Sequence, residues 1–349
     1  MNRIQEITTT DENAYLRAKS QWDSIAKPLG SFGVREEAVQ RMAAVQGTPD
    51  VCIDKRAVVV FCADHGVVAE GVTQCGSEVT AECARAIAEG RSNVNAIAAS
   101  CNADVIAVDI GIASDVDCDR LLNRKIAYGT RNMAKEPAMT QDQMEASIRV
   151  GIDLAGEMKN RGMQILVTGE MGIGNTTSTS ALASVLLRMP PRMVTGRGAG
   201  LSTRGLRRKI TVIEQATELH RPYENDPMRM LQCLGGLEIA GMTGLFLGGA
   251  YYHIPVVIDG VISAAAAALA CRINPRCQQY LLASHCSDEP AGEGLLRMLE
   301  LEPVIRAGLR LGEGTGGLLL LPLLDSTIAL FRNAHRFDET SIERYTMQL

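Results

Sequence analysis

The chain has 349 residues, a length that suits one large α/β domain carrying a smaller accessory domain. Its formal net charge is −5 at pH 7 and no block of lysine or arginine stands out, which argues against nucleic acid as a partner. Only 4% of the residues are aromatic whereas 33 are glycine, so the composition favours an α/β fold with an aliphatic interior over a β-sandwich.

Ten cysteines are scattered through the chain without a CxxC pair, as expected of small core residues in a reducing compartment. They are Cys52, Cys62, Cys75, Cys83, Cys101, Cys118, Cys233, Cys271, Cys277 and Cys286. The N-terminal segment lacks the apolar core of a signal peptide, and the later apolar runs are interrupted before they reach about 20 residues. We therefore expect a soluble cytoplasmic protein without a membrane span.

An amphipathic helix is predicted near the start, where Thr9 and Glu12 form a capping box. The helical stripe that follows consists of Tyr15, Ala18, Trp22 and Ile25. The segment KPLGSFG at 27–33 ends this helix, because proline and two glycines force a defined loop. A hinge, a binding element and a plain connection between helices all remain open for that loop.

From residue 57 onward, continuous apolar runs alternate with helical segments, a pattern that predicts strands covered on both faces and a mostly parallel sheet. The predicted strands are 57–62, 105–108, 165–167, 254–258 and 280–283. Polar residues follow each of them, namely Asp64-His65-Gly66, Asp109-Ile110-Gly111, Gly169-Glu170-Met171-Gly172, Asp259-Gly260 and Ser284-His285-Cys286-Ser287. Ligands of open α/β sheets bind outside the carboxyl ends of the strands, so we expect these residues to converge on one site.

The segment TGEMGIGNTTS at 168–178 reads as a strand, a glycine turn and a helix. Gly169, Gly172 and Gly174 allow a sharp turn close to a ligand. Asn175, Thr176 and Thr177 are able to cap the helix and to present amides and hydroxyls to an anion such as phosphate. A carboxylate facing a phosphate is unexpected, so Glu170 either acts on the rest of the substrate or is incidental to a tight connection.

Two further glycine-rich loops carry charged residues. VTGRGAG at 194–200 precedes the densest cationic cluster, Arg204, Arg207, Arg208 and Lys209, which is either a solvated helix face or the source of a cation for a phosphate or carboxylate. RLGEGTGG at 310–317 sets Glu313 among four glycines. Such a lone acid can be brought against a ligand and lose its water, which suits a general base.

Other common chemistries find little support in the sequence. The five histidines show no metal-binding spacing, and neither a dinucleotide-binding GxGxxG after a first strand nor a GxxxxGK[ST] loop is present. We therefore expect neither a metal nor a cofactor.

Eight motifs together resemble the nicotinate-nucleotide:dimethylbenzimidazole phosphoribosyltransferase (CobT) family of cobalamin synthesis. They are KPLGSFG at 27–33, CADHGV at 62–67, GEMGIGNTT at 169–177, GRGAG at 196–200, GGLEIAGMTG at 235–244, DGVIS at 259–263, SHCSDEPAG at 284–292 and RLGEGTGG at 310–317. The resemblance runs from about residue 20 to about residue 330. It is specific because all eight occur in the family's order at compatible spacing.

The resemblance implies an enzyme that moves the phosphoribosyl group of nicotinate mononucleotide to an aromatic acceptor, giving an α-ribotide for a cobamide and free nicotinate. It also implies a homodimer, with a heterodimer of paralogues as the alternative, and a Rossmann-like large domain with a parallel sheet. We expect that large domain at 51–317 and a small helical domain built from 1–50 plus 318–349.

Site residues follow from the resemblance motif by motif. Glu313 corresponds to the general base and Glu170 to the second acid near the ribosyl group. The predicted substrate-binding residues are Met171, Gly172, Gly174, Asn175, Thr176, Thr177, Lys209, Ser284, Gly312, Cys75 and Cys83. Of these, Gly174 to Thr177 are expected to hold the 5′-phosphate with Lys209 nearby.

The segment TQCGSEVTAEC at 73–83 departs from the family pattern. Gly76 stands where relatives commonly have proline, and Glu82-Cys83 occupies the neighbourhood of a glutamine in the acceptor-lining segment. The acceptor is therefore open between dimethylbenzimidazole, a related base and a phenol such as p-cresol. Two other classes also stay open, a catalytically idle paralogue that scaffolds an active partner and a different phosphate-binding enzyme on the same fold.

Overall fold

The computed structural model describes residues 2–221 and 225–346, which form a parallel α/β sheet covered by helices on both faces. The strands are β1 (Arg56–Ala63), β2 (Asp104–Gly111), β3 (Leu122–Asn123), β4 (Ile165–Met171), β5 (Val256–Ile258) and β6 (Leu281–Ala283). All pairs are parallel, in the order β3-β2-β1-β4-β5-β6. The predicted fold class and all five predicted strands are confirmed. The two-residue strand β3 was not predicted, because no apolar run marks it in the sequence.

The helices before β4 are α1 (Asn2–Gln5), α2 (Glu12–Ser24), α3 (Val34–Gln46), α4 (Glu78–Ala88), α5 (Asn93–Ser100) and α6 (Gln141–Asn160). Those after β4 are α7 (Asn175–Leu187), α8 (Pro191–Val194), α9 (Thr203–Leu219), α10 (Pro227–Leu234), α11 (Leu237–Tyr252), α12 (Val261–Ile273), α13 (Gly292–Met298) and α14 (Thr315–Asn333). Short 3₁₀ helices lie at Gly66–Glu70, Pro275–Tyr280 and Phe337–Glu339.

Alternate residues of each strand belong to separate cores on the two faces of the sheet. In β1, Val59 and Phe61 pack with helices α6, α7 and α9 to α13, whereas Val58 and Val60 pack with α2 to α5 and α14. This is the alternation that the pleat of a strand imposes. Both faces are buried, which explains why the strand sequence is apolar at nearly every position rather than at every second one.

Glycines bring α6 and α11 into close contact on one face of the sheet. A Cβ atom on Gly151 would overlap the carbonyl oxygen of Gly241, and one on Gly244 would overlap that of Ile148. The LGGLEIAGMTG segment therefore has the close helix packing that its glycines predict.

The opening helix differs from the prediction at its start. Asp11, not Thr9, is the N-cap of α2, and its carboxylate accepts from the backbone N–H of Ala14 at 3.0 Å. The predicted capping box of Thr9 and Glu12 is wrong, because an aspartate one residue before the helix caps it directly. Within the predicted stripe, Ala18, Trp22 and Ile25 are buried as expected and Tyr15 is partly buried.

Helices α2, α3 and α14 share a hydrophobic core with one face of the sheet, through residues such as Trp22, Met42 and Leu321. Helix α14 is long and apolar enough to cross a membrane, but about half of it is buried in this core. A separate domain of 1–50 plus 318–349 stays a prediction, and its residues 1 and 347–349 lie outside the described part. The loop 27–33 joins α2 to α3, and Glu36 accepts from both Lys27 and the Phe32 backbone there.

Candidate active site

A cleft of about 240 Å³ lies at the carboxyl ends of β4, β5 and β6. The chain order of the sheet reverses between β1 and β4, and such switch points are where open α/β sheets bind ligands. Of the predicted site residues, those that line the cleft are Glu170, Met171, Gly172, Asn175, Thr176, Gly312 and Glu313. Residues that follow β5 and β6 complete it, among them Asp259, His285 and Glu289.

The N-terminus of α7 forms one end of the cleft. Gly172 lies so close to β1 that a Cβ atom there would overlap the carbonyl oxygen of Ala63, and Gly174 turns the chain into the helix with a φ of +100°. These two positions require glycine. The backbone N–H groups of Asn175 and Thr177 already donate to the carbonyl oxygens of Gly172 and Gly174, at 3.2 Å and 2.9 Å. The backbone N–H and the hydroxyl of Thr176 are the groups of this turn that can donate to an anion. Thr177 is fully buried inside α7 and does not line the cleft.

Lys209 is buried behind this turn, with 1% of its surface exposed. Its Nζ donates to Thr176 Oγ1 at 2.8 Å, and it has no ion-pair partner within residues 2–221 and 225–346. Burial lowers the pKa of Lys209 from 10.5 to about 8, although the nearby Glu289 acts in the opposite direction. A desolvated lysine without a bonded carboxylate is suited to receive an anion that arrives with the ligand.

The loop 194–200 closes the same end of the cleft. Gly198 and Ala199 line the cleft, and the backbone N–H of Gly198 donates to Glu289 Oε1 at 3.2 Å. Gly198 also lies next to Lys209, since a Cβ atom there would be 3.6 Å from Lys209 Nζ. By contrast, Arg204, Arg207 and Arg208 are exposed, as expected of a solvated helix face.

Glu170 is the buried acid of the cleft, with 7% of its surface exposed. Burial raises the pKa of its carboxyl well above 4.5, and the negative charges of Asp259 and Glu238 act in the same direction. The side-chain amide of Asn175 and the backbone N–H of Glu313 donate to it. The carboxyl therefore holds a proton much more readily than an exposed glutamate does.

Asp259 and His285 follow β5 and β6 and lie on the adjoining wall. The carboxylate of Asp259 accepts from the backbone N–H groups of Gly314 and Gly317, so it caps the start of α14. Burial lowers the pKa of His285, and the neighbouring Asp259 opposes that effect. Ser284 is fully buried and does not line the cleft; its hydroxyl lies 3.0 Å from His285 Nδ1.

Glu313 lies in the loop directly before α14 and is only partly buried. Its Oε1 accepts from Asn93 Nδ2 at 3.1 Å, and its Oε2 accepts from the backbone N–H of Val94 at 3.2 Å. The residue has a φ of +60°, a conformation that non-glycine residues seldom adopt and that is often retained at functional sites. The expected isolation of this acid is wrong, because the first turn of α5 holds its carboxylate.

The two cysteines of the divergent segment lie in different places. Cys75 lines a smaller cavity of about 80 Å³ together with Thr176 and Lys209, towards the anion end of the site. Cys83, in α4, is partly buried, and burial together with the negative charge of Glu313 raises the pKa of its thiol. Of these two cysteines, Cys83 is therefore the one near enough to Glu313 to contact a ligand that binds beside that carboxylate.

The strand ends of β1 and β2 do not line the cleft, contrary to the expectation that all five would converge. His65 bonds to Glu238 Oε1 at 2.6 Å and to Ser178 Oγ at 2.9 Å beneath the turn before α7. Asp109 forms an ion pair with Lys125 at 3.2 Å. These polar groups are used inside the fold, because a strand buried on both faces must satisfy the polar side chains at its end internally.

Asn93 and Glu289 are parts of the site that were absent from the predicted set, whereas His285 was among the strand-end residues expected to converge on it. Nothing in the segment SNVNAIAAS marks Asn93, since its contact with Glu313 joins residues 220 positions apart. Glu289 and His285 lie within SHCSDEPAG, a motif whose order along the chain does not reveal which side chains face the cleft. Among the described residues no cluster of His, Cys, Asp and Glu has the makeup of a metal site.

Comparisons with known proteins agree with this geometry. The family described as Phosphoribosyltransferase matches residues 7–342. The nicotinate-nucleotide--dimethylbenzimidazole phosphoribosyltransferase of Acetivibrio thermocellus is 41% identical over 327 residues, which cover 94% of this chain and 93% of that protein. The enzyme of the same name from Ruminiclostridium cellulolyticum is 41% identical over 345 residues, covering 99% and 97%.

The fold of this chain is also similar to that of a solved structure. CobT from Thermus thermophilus superposes with a TM-score of 0.89 at 36% identity, covering 95% of this chain and 100% of that one. Both the sequence and the fold thus match over almost the whole chain. The protein belongs to the nicotinate-nucleotide:dimethylbenzimidazole phosphoribosyltransferase (CobT) family of phosphoribosyltransferases.

Proposed function

We propose that this enzyme transfers the phosphoribosyl group of nicotinate mononucleotide to an aromatic base, giving an α-ribotide for cobamide synthesis and free nicotinate. The observation that carries the proposal is a cleft lined by the carboxyls of Glu170 and Glu313, which meets at Thr176 the smaller cavity that Lys209 lines. A binding-only paralogue has no use for two such carboxyls, which argues against an idle scaffold. Family membership supports the same reaction class.

The anion end of the cleft suits the 5′-phosphate of the donor. The backbone N–H and the hydroxyl of Thr176 and the buried Lys209 ammonium are all hydrogen-bond donors. Phosphate is the dianionic part of the donor, so charge-assisted hydrogen bonds there are stronger than neutral ones. When the phosphate binds, its oxygens take the place of the water molecules that burial removed from the Lys209 ammonium, and its negative charge pairs with the positive charge of Lys209.

Chemistry then takes place at the anomeric carbon of the ribose. A ring nitrogen of the acceptor forms a bond to that carbon while the bond to nicotinate breaks, and the electron pair of the broken bond remains on the pyridine nitrogen. Glu313 takes the proton from the acceptor, and the hydrogen bonds from Asn93 and Val94 fix the direction of its carboxylate. Attack from the face opposite nicotinate inverts the configuration from β to α.

Glu170 has a different task in this proposal. Its pKa is raised in the empty cleft, but the donor brings a pyridinium cation and the transition state adds positive charge at the anomeric carbon. Nearby positive charge favours the ionised carboxylate, so binding draws the proton from Glu170 and the resulting anion stabilises the transition state.

We further propose a cytoplasmic enzyme that works as a homodimer, with a heterodimer of paralogues as the alternative. Ten free thiols suit a reducing compartment. The acceptor is dimethylbenzimidazole or a related base, and the small side chains of the 73–83 segment extend the proposal to phenols such as p-cresol.

The test is incubation of purified enzyme with nicotinate mononucleotide and a panel of aromatic acceptors, with ribotides detected by mass spectrometry. Glu313→Gln should keep donor binding and lose about 100-fold to 10,000-fold in rate, because the amide preserves volume but cannot accept the proton. Glu302→Gln, at a surface position, is the matched control and should turn over normally. Near-normal turnover by a folded Glu313→Gln enzyme would contradict the assignment of the base.

A further inference from the structure

The ribose of the proposed donor must lie between the proposed anion site at Lys209 and the carboxylate of Glu313, because it carries the 5′-phosphate and its anomeric carbon must be within reach of the acceptor that Glu313 deprotonates. Most polar side chains on this stretch of the cleft wall already have partners. Asp259 accepts from two backbone N–H groups, and Ser263 Oγ accepts from the Asp259 backbone at 3.1 Å. Glu170 receives its own two donors, as described above.

His285 is different, because only one of its ring nitrogens is engaged. Nδ1 lies 3.0 Å from Ser284 Oγ, whereas Nε2 has no hydrogen-bond partner among residues 2–221 and 225–346. The side chain lines the cleft although only 4% of the residue surface is exposed. Nε2 lies on the side of Gly260, another residue that lines the cleft. A buried polar nitrogen of a cleft residue that has no protein partner is expected to meet a polar group of the ligand.

The surrounding hydrogen bonds decide which nitrogen of His285 carries the proton. The Ser284 hydroxyl donates to the carbonyl oxygen of Ile258 at 2.6 Å, so its oxygen is left to accept. Nδ1 of His285 is therefore the donor to Ser284, and Nε2 of the neutral ring keeps its lone pair. Burial lowers the pKa of His285 and thus favours this neutral form near pH 7.

Glycine residues lie beside the imidazole ring of His285. A Cβ atom on Gly316 would overlap Nδ1 and Cε1 of His285, and one on Gly260 would lie 3.7 Å from Nε2. The close backbone of Gly316 on one side and the contact of Nδ1 with Ser284 restrict how the imidazole can turn. Nε2 is a preorganised hydrogen-bond acceptor in the cleft.

We propose that Nε2 of His285 accepts a hydrogen bond from a ribose hydroxyl of the donor and makes the enzyme select ribose over deoxyribose. This inference rests on the proposed phosphoribosyl transfer. Ser284, which does not reach the cleft, acts as a positioning residue that sets the tautomer of His285.

The first arm of the test uses the wild-type enzyme and needs no variant. Transfer to dimethylbenzimidazole is measured with nicotinate mononucleotide and with its 2′-deoxy and 3′-deoxy analogues. We expect kcat/KM to fall about tenfold for one of the two analogues, the usual effect of losing one neutral hydrogen bond. Equal kcat/KM for all three donors would overturn the role of His285, whereas no ribotide from nicotinate mononucleotide itself would overturn the proposed function.

The second arm assigns the selectivity to the side chain. In His285→Phe the ratio of kcat/KM for the ribose donor to kcat/KM for the sensitive deoxy analogue should fall to about one, since the hydrogen-bond acceptor Nε2 is gone. His285→Gln should restore part of it, because the amide oxygen reaches the place of Nε2, and Ser284→Ala should give an intermediate preference. If His285→Phe slows all three donors by the same factor, the residue is merely structural and the proposal is wrong.

Discussion

Replacing Lys209 by methionine should make the empty enzyme more stable while it destroys the donor site. The aliphatic stem of Lys209 is packed in the interior, and methionine fills the same space without a charge. The wild-type protein holds an ammonium group in a buried place that has one hydroxyl as partner. Such an arrangement is unfavourable until an anion binds.

The pKa of Lys209 gives the size and the pH dependence of the effect. A fall from 10.5 to about 8 corresponds to about 3 kcal/mol, at about 1.4 kcal/mol per tenfold change in proton affinity. Below pH 8 both the folded and the unfolded chain carry the charge, so the folded state bears the whole cost. Between pH 8 and 10.5 the folded state releases a proton that the unfolded state keeps, and the advantage of the variant disappears.

Loss of the hydrogen bond to Thr176 offsets about 1 kcal/mol of this gain. The net stabilisation of Lys209→Met is then about 2 kcal/mol at about pH 7, or about 3 °C in Tm for a chain of this length. Thermal unfolding in phosphate-free buffer at about pH 7 and about pH 10 measures it. Inorganic phosphate or nicotinate mononucleotide should raise the Tm of the wild type and leave that of the variant unchanged.

Arg207→Met is the matched control, because Arg207 lies exposed on the same helix. It should change Tm little and keep the response to phosphate. A Lys209→Met enzyme that is less stable than the wild type at neutral pH, or that phosphate still stabilises fully, would refute the reasoning.

Three other predictions concern the remaining parts of the cleft. Glu170→Gln should gain stability over the wild type as pH rises above 4.5, because the unfolded chain then releases the proton of this carboxyl while the folded state, in which its pKa is raised, still holds it; a Tm difference that does not vary with pH would contradict this. Thr176→Val should weaken nicotinate mononucleotide binding more than acceptor binding in separate calorimetric titrations, and equal losses would count against a phosphate role. With dimethylbenzimidazole and excess p-cresol in one reaction, both ribotides should form, because an apolar acceptor site discriminates weakly between rings of similar shape; a benzimidazole product alone would disprove the phenol proposal.

The sheet and the glycine turn before α7 could be predicted because both depend on local pattern. The apolar runs that became β1 and β4 are unambiguous, and the GEMGIGNTT turn suits a place where a strand meets a helix. The partner of Glu313 could not be predicted in this way. Asn93 reaches it only through the packing of α5 against the loop before α14, and no local pattern encodes that distance.

The protonation states of Glu170 and Lys209 could not be predicted from the sequence either. Glu170 and Lys209 have ordinary neighbours along the chain, and their altered pKa values arise from depth of burial and from charges on distant segments. The contacts of His65 could not be predicted either, because its strand-end position suggested a ligand contact. Its bonds to Glu238 and Ser178 exist because α11 and α7 meet beneath it.

The attachment of Glu313 to α5 has a consequence for how acceptor preference can evolve. The start of α5 is tied to the end of α4 by Asn95, whose Nδ2 donates to the carbonyl oxygen of Ile87 at 3.1 Å. Under the proposed mechanism, substitutions in α4 that admit a new acceptor therefore also shift Glu313, the proposed base, through Asn95 and the start of α5. We expect acceptor range and turnover to change together along a lineage, and a library built to retarget the enzyme should vary Asn93 and Asn95 along with the 73–83 segment.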